Sequence, residues 1–201
     1  MDLSINIKSF LGQKEETYDS DESIIEGVLA GDQRASKVLY ERFAPKMFSI
    51  CKRYTAKIED AKDLMHDGFI QVFTKIHTFK GNSKLETWIT RVMINNAINA
   101  IKKQIMVEWN DDTMGNEPDF DLDYESLHRK DHEYDAVLRL IHQLPMGYRT
   151  ILNLYAVEQF SHKEISEMLN ISEGTSKSQL NRARAALKKL LRKEGWDETS
   201  A

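Results

Sequence analysis

A chain of 201 residues with 41% hydrophobic and 30% charged residues has the size and composition of a soluble protein with one or two modest domains. Its one cysteine, Cys51, cannot form an internal disulfide, which favours a reducing cytoplasm. No apolar run near the N-terminus is long enough for a secretion signal or a membrane span, so we expect neither export nor membrane insertion.

The formal net charge of -4 is distributed unevenly along the chain. Residues 24–106 carry 14 basic and 8 acidic side chains, and residues 136–201 carry 10 basic and 7 acidic ones. Between them, residues 107–135 carry 11 acidic and only 2 basic side chains. Two basic segments are therefore separated by a strongly acidic one, and the pI near 5.9 does not exclude binding to nucleic acid.

Helices are predicted throughout, because the chain has three prolines and little of the alternation typical of strands. Residues 1–22 are polar and are predicted to form a flexible tail. The first helix is predicted to begin at a capping box formed by Ser23 and Glu26. A second helix is predicted over residues 32–55, and Pro45 is expected to kink or interrupt it.

Two further helices are marked by apolar residues at positions i, i+3, i+4 and i+7. The third is predicted over residues 59–78, and the fourth ends near Met106. Their apolar positions are Phe69, Val72, Phe73 and Ile76 in the third helix, and Leu85, Trp88, Ile89 and Val92 in the fourth.

The acidic stretch over residues 107–130 lacks this periodicity and contains Gly and Pro, so it is predicted to be a linker.

Helical periodicity resumes near residue 131 and leads to two short helices joined by a tight turn, a pattern typical of a helix-turn-helix. Ser161 and Glu164 predict a capping box at the start of the first of these helices. Asn170 is expected to end it in the left-handed conformation, and Ser172 is expected to cap the second helix.

The second of these helices is strongly basic and has no acidic residue between Gly174 and Lys193. At about 100° per residue, the face opposite its apolar stripe is centred on Ser178, Asn181 and Arg182. Arg and Asn are the side chains that read guanine and adenine in the major groove. The sequence therefore predicts a helix that lies in duplex DNA.

Two parts of the chain resemble conserved regions of bacterial sigma factors. The stretch LPMGYRTILNLYAVEQFSHKEISEMLNISEGTSKSQLNRARAALKKLL resembles the fourth region, and AGDQRASKVLYERFAPKMF with DLMHDGFIQVFTKIHTFKGNSKLETWITRVMINNAINAIKK resembles the second. Both regions without an intervening third domain are similar to an extracytoplasmic-function (ECF) sigma factor. The resemblance implies an all-α fold with a region 2 bundle over residues 23–106 and a region 4 helix-turn-helix bundle over residues 131–195.

The resemblance also implies a function. Proteins of this family bind the RNA polymerase core enzyme, direct it to promoters and open the DNA for transcription initiation. The implied partners are the core enzyme, promoter DNA (duplex at −35, single-stranded at −10) and an anti-sigma factor. We expect no catalytic activity, cofactor or metal site in the chain, and a location in the bacterial cytoplasm.

Site residues follow from matching the sequence to the family pattern. Contacts to the −35 element are expected from Thr175, Lys177, Ser178, Asn181, Arg182, Arg184 and Lys188. Contacts to the −10 element are expected from Phe79, Lys80, Lys84, Arg91, Asn95, Asn96 and Asn99. Docking on the polymerase coiled coil is expected from Asp63, His66, Asp67, Phe69 and Gln71.

One position departs from the wider family, which usually has Val where this chain has Ser176. The side chain is expected either to face the core or to bond back to a carbonyl of its own helix.

The main alternative is an autonomous transcriptional regulator that binds duplex DNA as a dimer through its helix-turn-helix. Such a regulator should bind a palindromic site without polymerase.

Overall fold

The computed structural model describes residues 18–55, 57–110, 137 and 139–196. These residues form helices and contain no β-strand, which confirms the all-α prediction. The α-helices of the described part are α1 Asp21–Leu29, α2 Gln33–Lys52, α3 Ile58–Lys75, α4 Leu85–Asn110, α5 Met146–Leu152, α6 His162–Leu169 and α7 Glu173–Lys193. A 3₁₀ turn covers Ile76–Thr78, a π-helical turn covers Asn153–Val157, and residues 139–142 are helical.

The first helix begins earlier than predicted. Ser20 is its N-cap, because the Ser20 Oγ accepts a hydrogen bond from the Ser23 N–H at 3.1 Å and the Ser23 Oγ accepts one from the Ser20 N–H at 3.2 Å. The predicted capping box of Ser23 with Glu26 is therefore wrong, since Ser23 already occupies the third helical position. Residues 1–17 of the predicted tail and residues 111–130 of the predicted linker lie outside the described residues.

Helix α2 continues through Pro45, which does not interrupt it. A proline inside a helix removes one backbone donor and crowds the carbonyl one turn earlier. Against that loss, α2 buries Leu39, Phe43 and Met47 at four-residue intervals on a single face. The burial of these large side chains outweighs one missing hydrogen bond.

Helices α3 and α4 pack closely in the N-terminal bundle. A side chain at Gly68 of α3 would collide with Met93 of α4, so glycine permits the close approach. The Asn96 side-chain amide of α4 donates a hydrogen bond to the Leu64 carbonyl of α3 at 3.2 Å. Helix α4 extends beyond the predicted end near Met106 to residue 110.

The C-terminal bundle contains α5, α6 and α7, and its helix-turn-helix forms as predicted. Ser161 and Glu164 make the capping box of α6, and the Ser172 Oγ accepts a hydrogen bond from the Thr175 N–H at 2.9 Å to cap α7. Asn170 ends α6 in the left-handed conformation with φ of 57°. Each of these features depends on residues close in sequence, which is why the sequence reveals them.

The two bundles contact each other along α4, which packs against both α5 and α6. Their buried apolar side chains form one contiguous cluster, to which α4 contributes Ile101 and Ile105 and the C-terminal bundle contributes Leu144 and Ile151. None of the described helices is both long enough and apolar enough to cross a membrane.

Candidate DNA-binding and polymerase-docking surfaces

Helix α7 presents its predicted recognition face to solvent. The buried side of the helix is formed by Ser176, Gln179, Leu180 and Ala183. On the other side the exposed residues are Lys177, Ser178, Asn181, Arg182, Arg184 and Lys188, while Thr175 is half-buried. All seven predicted −35 residues lie on α7, and Ser178, Asn181 and Arg182, the centre of the predicted face, are on its open surface.

A chain of ring and hydroxyl contacts supports α7 from behind. Ser176 is fully buried, and its Oγ lies 2.9 Å from the His162 Nδ1 of α6. The His162 ring stacks on the Tyr155 ring with centroids 4.7 Å apart. The Arg184 guanidinium of α7 also lies over the Tyr155 ring, 5.5 Å from its centroid. The side chain of Ser176 thus faces the core, one of its two predicted positions, and bonds to His162 and not to a carbonyl of its own helix.

The predicted −10 surface lies on the first half of α4 and in the loop before it. Lys80, Lys84, Asn95 and Asn99 are exposed. Phe79 is half-buried, and its ring lies 5.7 Å from the Trp88 ring at an interplanar angle of 59°. The surface therefore combines cationic, amide and aromatic groups, the set that binds single-stranded nucleic acid.

Two of the predicted −10 residues are engaged within the protein. The Asn96 side chain is half-buried and holds α4 to α3 through the Leu64 carbonyl. The Arg91 guanidinium contacts the C-terminal bundle, with Nη2 3.4 Å from the Glu164 carboxylate and the guanidinium carbon 5.7 Å from the Phe160 ring centroid. Asn95, between them in sequence, points to solvent.

The predicted docking surface lies on α3. Asp63, His66 and Asp67 are exposed, and Gln71 is half-buried. Phe69 is only 2% exposed, and its ring packs 4.6 Å from Tyr40 and 6.3 Å from Phe73, measured between centroids. Phe69 therefore belongs to the core of the N-terminal bundle.

An apolar side chain that the sequence analysis did not predict lies on the predicted docking surface. Ile70 of α3 is 59% exposed, one turn after His66 and Asp67. The helical periodicity could have identified it, because Ile70 breaks the apolar spacing set by Phe69, Val72 and Phe73. Protein interfaces combine an apolar centre with a polar rim, and Ile70 with the polar residues around it fits that arrangement.

Among the described residues, Arg53, Arg91 and Glu108 each make polar contacts that join the two bundles. Arg53 at the end of α2 forms an ion pair with Glu158, and these side chains are 15% and 10% exposed. The Arg53 carbonyl also accepts a hydrogen bond from the Asn153 side-chain amide at 2.9 Å. Arg91 and Glu164 form the second contact.

The third contact is made by Glu108 near the end of α4. Its Oε1 accepts a hydrogen bond from the Met146 N–H at 3.0 Å, and its Oε2 accepts one from the Gly147 N–H at 2.5 Å. Helix α5 receives no side-chain cap from its own N-cap residue, Pro145. A carboxylate from the other bundle therefore satisfies the first backbone donors of α5.

Burial perturbs the titration of His142 near this interface. Desolvation and then the charges of Arg149 and Lys52 lower the pKa of His142 from 6.5 to about 4. The His142 Nδ1 lies 3.3 Å from the Arg149 Nη1 and accepts its hydrogen bond, so the imidazole is neutral at pH 7. No cluster of potential metal ligands occurs among the described residues.

The sequence matches two family models, and both describe conserved regions of the sigma-70 class. The model for Sigma-70 region 2 matches residues 39–105, and the model for Sigma-70, region 4 matches residues 134–187. The chain is thus a two-region protein of the sigma-70 class.

Curated relatives define the family more narrowly. The chain is 30% identical over 189 residues to the ECF RNA polymerase sigma factor SigW of Bacillus subtilis, covering 84% of this chain and 95% of the relative. It is 29% identical over 184 residues to the RNA polymerase sigma-H factor of Pseudomonas aeruginosa, with coverage of 87% and 95%. The chain belongs to the ECF family of RNA polymerase sigma factors.

Solved structures resemble the fold more loosely. The sigma factor RpoE in complex with the anti-sigma factor NepR from Bartonella quintana has 22% identity and a TM-score of 0.48, covering 78% of this chain and 96% of that chain. CnrH in complex with the cytosolic domain of CnrY has 19% identity and a TM-score of 0.47, with coverage of 87% and 98%.

Proposed function

We propose that this sigma factor binds core RNA polymerase, reads the −35 element with α7 and opens the −10 element with the surface on the first half of α4. The observation that carries this proposal is the face of α7. Its base-reading candidates and cations share one open surface on a chain whose net charge is -4. Cations concentrated on one helix of an acidic protein provide a local site for phosphate.

At the −35 element, we propose that the base edges are read by Lys177, Ser178, Asn181 and Arg182. Thr175, Arg184 and Lys188 would contact phosphates and set the position of the helix in the groove. The stacking of Arg184 over Tyr155 supports this role, because it limits the rotamers of the guanidinium.

At the −10 element, we propose that the open strand is held by exposed amides, by Phe79 and by nearby cations. Asn95 and Asn99 are one helical turn apart, so both amides can face one extruded base. Lys80, Lys84 and Arg91 would follow the backbone. Asn96 is proposed to position α4 from behind through the Leu64 carbonyl.

For polymerase docking, we propose that Ile70 is the apolar centre of a surface rimmed by Asp63, His66, Asp67 and Gln71. Phe69 would contribute indirectly, since it packs inside the bundle and holds α3 in place. An aliphatic anchor with a charged rim is the arrangement in which one side chain supplies much of the binding energy.

We further propose that an anti-sigma factor binds the chain, as it does RpoE in the Bartonella quintana complex. The chain would act in the bacterial cytoplasm without catalysis or a cofactor, because nucleotide polymerisation belongs to the core enzyme. The domain limits proposed from the sequence, residues 23–106 and 131–195, enclose the two matched segments.

The first test is binding to purified bacterial core polymerase in competition with a primary sigma factor. Tight and mutually exclusive binding is the expected result. A folded protein that does not bind core polymerase, and that instead forms dimers on a palindromic duplex, would support the alternative of an autonomous regulator.

The second test separates DNA reading from docking. Lys177→Ala and Arg182→Ala should each reduce promoter-specific initiation about 10- to 100-fold and leave core binding unchanged, because a base contact contributes roughly 1–3 kcal/mol. Arg192→Ala is the matched control, since Arg192 is exposed in the last turn of the same helix. Equal losses for the control and the two variants would contradict the assignment of the recognition face.

A further inference from the structure

A hydrogen bond and a ring contact attach the recognition helix α7 to the rest of the C-terminal bundle. At the first point the Ser176 Oγ lies 2.9 Å from the His162 Nδ1. At the second point the Arg184 guanidinium lies over the Tyr155 ring, 5.5 Å from its centroid. The two points are connected behind the helix, because the His162 and Tyr155 rings stack with centroids 4.7 Å apart and an interplanar angle of 24°. The four side chains together form a brace behind α7.

The brace spans the part of α7 that is proposed to read DNA. Ser176 and Arg184 are eight residues apart, which is about 12 Å along the helix at 1.5 Å per residue. Between them lie the four base-reading candidates, Lys177, Ser178, Asn181 and Arg182. Because the brace holds both ends of this stretch, it opposes any roll of α7 about its axis and any slide along it.

The apolar contacts of α7 constrain its roll less closely. Leu180 and Ala183 are buried in the core, but hydrophobic contact is non-directional. A hydrogen bond weakens steeply away from its preferred angle, and a stacked pair of rings has a preferred geometry. A roll of about 10° moves the tip of a side chain by roughly 1 Å, because a helix with its side chains is about 10–12 Å across. Binding groups have to be held within about 0.5 Å of their working positions, so the roll decides which base edges α7 can reach.

The backbone that carries Tyr155 is irregular. Tyr155 lies in the π-helical turn Asn153–Val157, where the Glu158 N–H donates a hydrogen bond to the Asn153 carbonyl at 2.9 Å. Gln159 follows with a φ of 61°, a conformation that is rare for residues other than glycine. Irregular backbone of both kinds concentrates at functional sites, and here both irregularities lie within four residues of the ring that connects the brace.

We propose that Tyr155, His162 and Ser176 are positioning residues for −35 recognition: they touch no DNA, but they fix the roll of α7 and so determine which bases it prefers. The inference rests on the proposed function, because it takes α7 as the reader of the −35 element. Ser176 is fully buried and the two rings are half-buried, so the three residues act through the side chains that α7 presents. Arg184 extends the brace to a phosphate and couples the roll of the helix to the DNA backbone.

The −35 preference of the assembled holoenzyme tests the proposal. The wild type and each variant are combined with core polymerase and transcribe a pool of promoters with randomised −35 and −10 elements. A barcode in each transcript identifies its promoter, so sequencing gives the base preference at every position. A variant that only loses folded protein initiates less from all promoters by the same factor, and the ratios between promoters do not change.

Two substitutions break the brace at different points, and two controls preserve it. Ser176→Ala removes the hydroxyl group that bonds to His162, and Tyr155→Leu removes the ring beside Arg184. Tyr155→Phe keeps the ring and loses only its hydroxyl group. Ile151→Val removes one methylene from a fully buried side chain of α5, so it lowers stability while the brace stays complete. Circular dichroism establishes that each variant is folded.

Ser176→Ala and Tyr155→Leu should each reduce the preference at one or more −35 positions about tenfold, because a well-placed base contact discriminates by roughly that factor. Their −10 preference and their affinity for core polymerase should match those of the wild type. Tyr155→Phe and Ile151→Val should keep the −35 preference of the wild type.

An unchanged −35 preference in either Ser176→Ala or Tyr155→Leu, or an equal change in either control, would overturn the proposal. A wild-type holoenzyme without any −35 preference, or one whose preference survives both Lys177→Ala and Arg182→Ala, would instead contradict the proposed function on which this inference rests.

Discussion

The buried Ser176 hydroxyl of the recognition helix and the half-buried His162 imidazole of the preceding helix form a hydrogen bond of 2.9 Å. We predict that Ser176→Ala lowers the free energy of unfolding by about 1 kcal/mol, because the imidazole nitrogen loses its partner. Urea unfolding followed by circular dichroism measures the change. Ser178→Ala is the control, since the Ser178 hydroxyl is exposed and bonds only to the Thr175 carbonyl of its own helix in the described structure. Similar losses in both variants would contradict a specific role for the buried bond.

Stability should depend on pH through His142. Its pKa is lowered from 6.5 to about 4 in the folded protein, so the unfolded chain binds the proton first as the pH falls. The stabilisation is therefore complete above pH 6.5 and is lost between pH 6.5 and 4, by up to about 3 kcal/mol. Urea unfolding at pH 7 and pH 5 measures this loss.

His142→Gln should remove part of that pH dependence, whereas His77→Gln should retain it, because His77 is exposed. A wild type and a His142→Gln variant whose stabilities fall in parallel from pH 7 to pH 5 would show that His142 does not titrate in this way.

Two adjacent asparagines should differ in the consequences of their loss. Asn95→Ala should reduce opening of the −10 element about tenfold and leave stability unchanged, because Asn95 is exposed and a base contact contributes roughly 1–3 kcal/mol. Asn96→Ala should lower the free energy of unfolding by about 1 kcal/mol, because the Leu64 carbonyl loses its donor. Permanganate footprinting of the −10 strand and urea unfolding, applied to both variants, measure the two effects. Loss of stability in Asn95→Ala and loss of −10 opening in Asn96→Ala would contradict both assignments.

Ile70→Ser should weaken binding to core polymerase about tenfold without unfolding the protein, because the side chain is 59% exposed and its loss removes an apolar anchor. Leu29→Ser is the matched control, since Leu29 of α1 is 55% exposed and lies outside the proposed docking surface. Equilibrium binding to labelled core enzyme measures both. An unchanged affinity of Ile70→Ser for core polymerase would contradict the placement of Ile70 in the docking surface.

Local features of the fold could be predicted from the sequence, because each depends on neighbouring residues. Asn170 takes the left-handed conformation, and Ser161 with Glu164 caps α6, as their types and spacing indicate. The same reasoning misplaced the start of α1, where Ser20 and Ser23 form a box without a carboxylate. Either serine can cap a helix, so composition alone did not choose between them.

Features that join distant residues could not be predicted in this way. Arg53 and Glu158 are 105 residues apart, and nothing in either local pattern indicates that they pair at the interface. Phe69 and Ile70 are adjacent apolar residues on α3, yet one is 2% and the other 59% exposed. The apolar spacing with Val72 and Phe73 favours Phe69 as the inward residue, but its partner Tyr40 on α2 lies far away in sequence.

Helix α4 carries two of the contacts to the C-terminal bundle, at Arg91 and at Glu108. These residues are separated by about 25 Å along one rigid helix, at 1.5 Å per residue. When one contact breaks, the other keeps the released group at high effective concentration, so it re-forms quickly. A ligand that competes for only one of these contacts therefore has to outcompete its re-formation, whereas a ligand that covers both contact points of α4 does not meet this opposition.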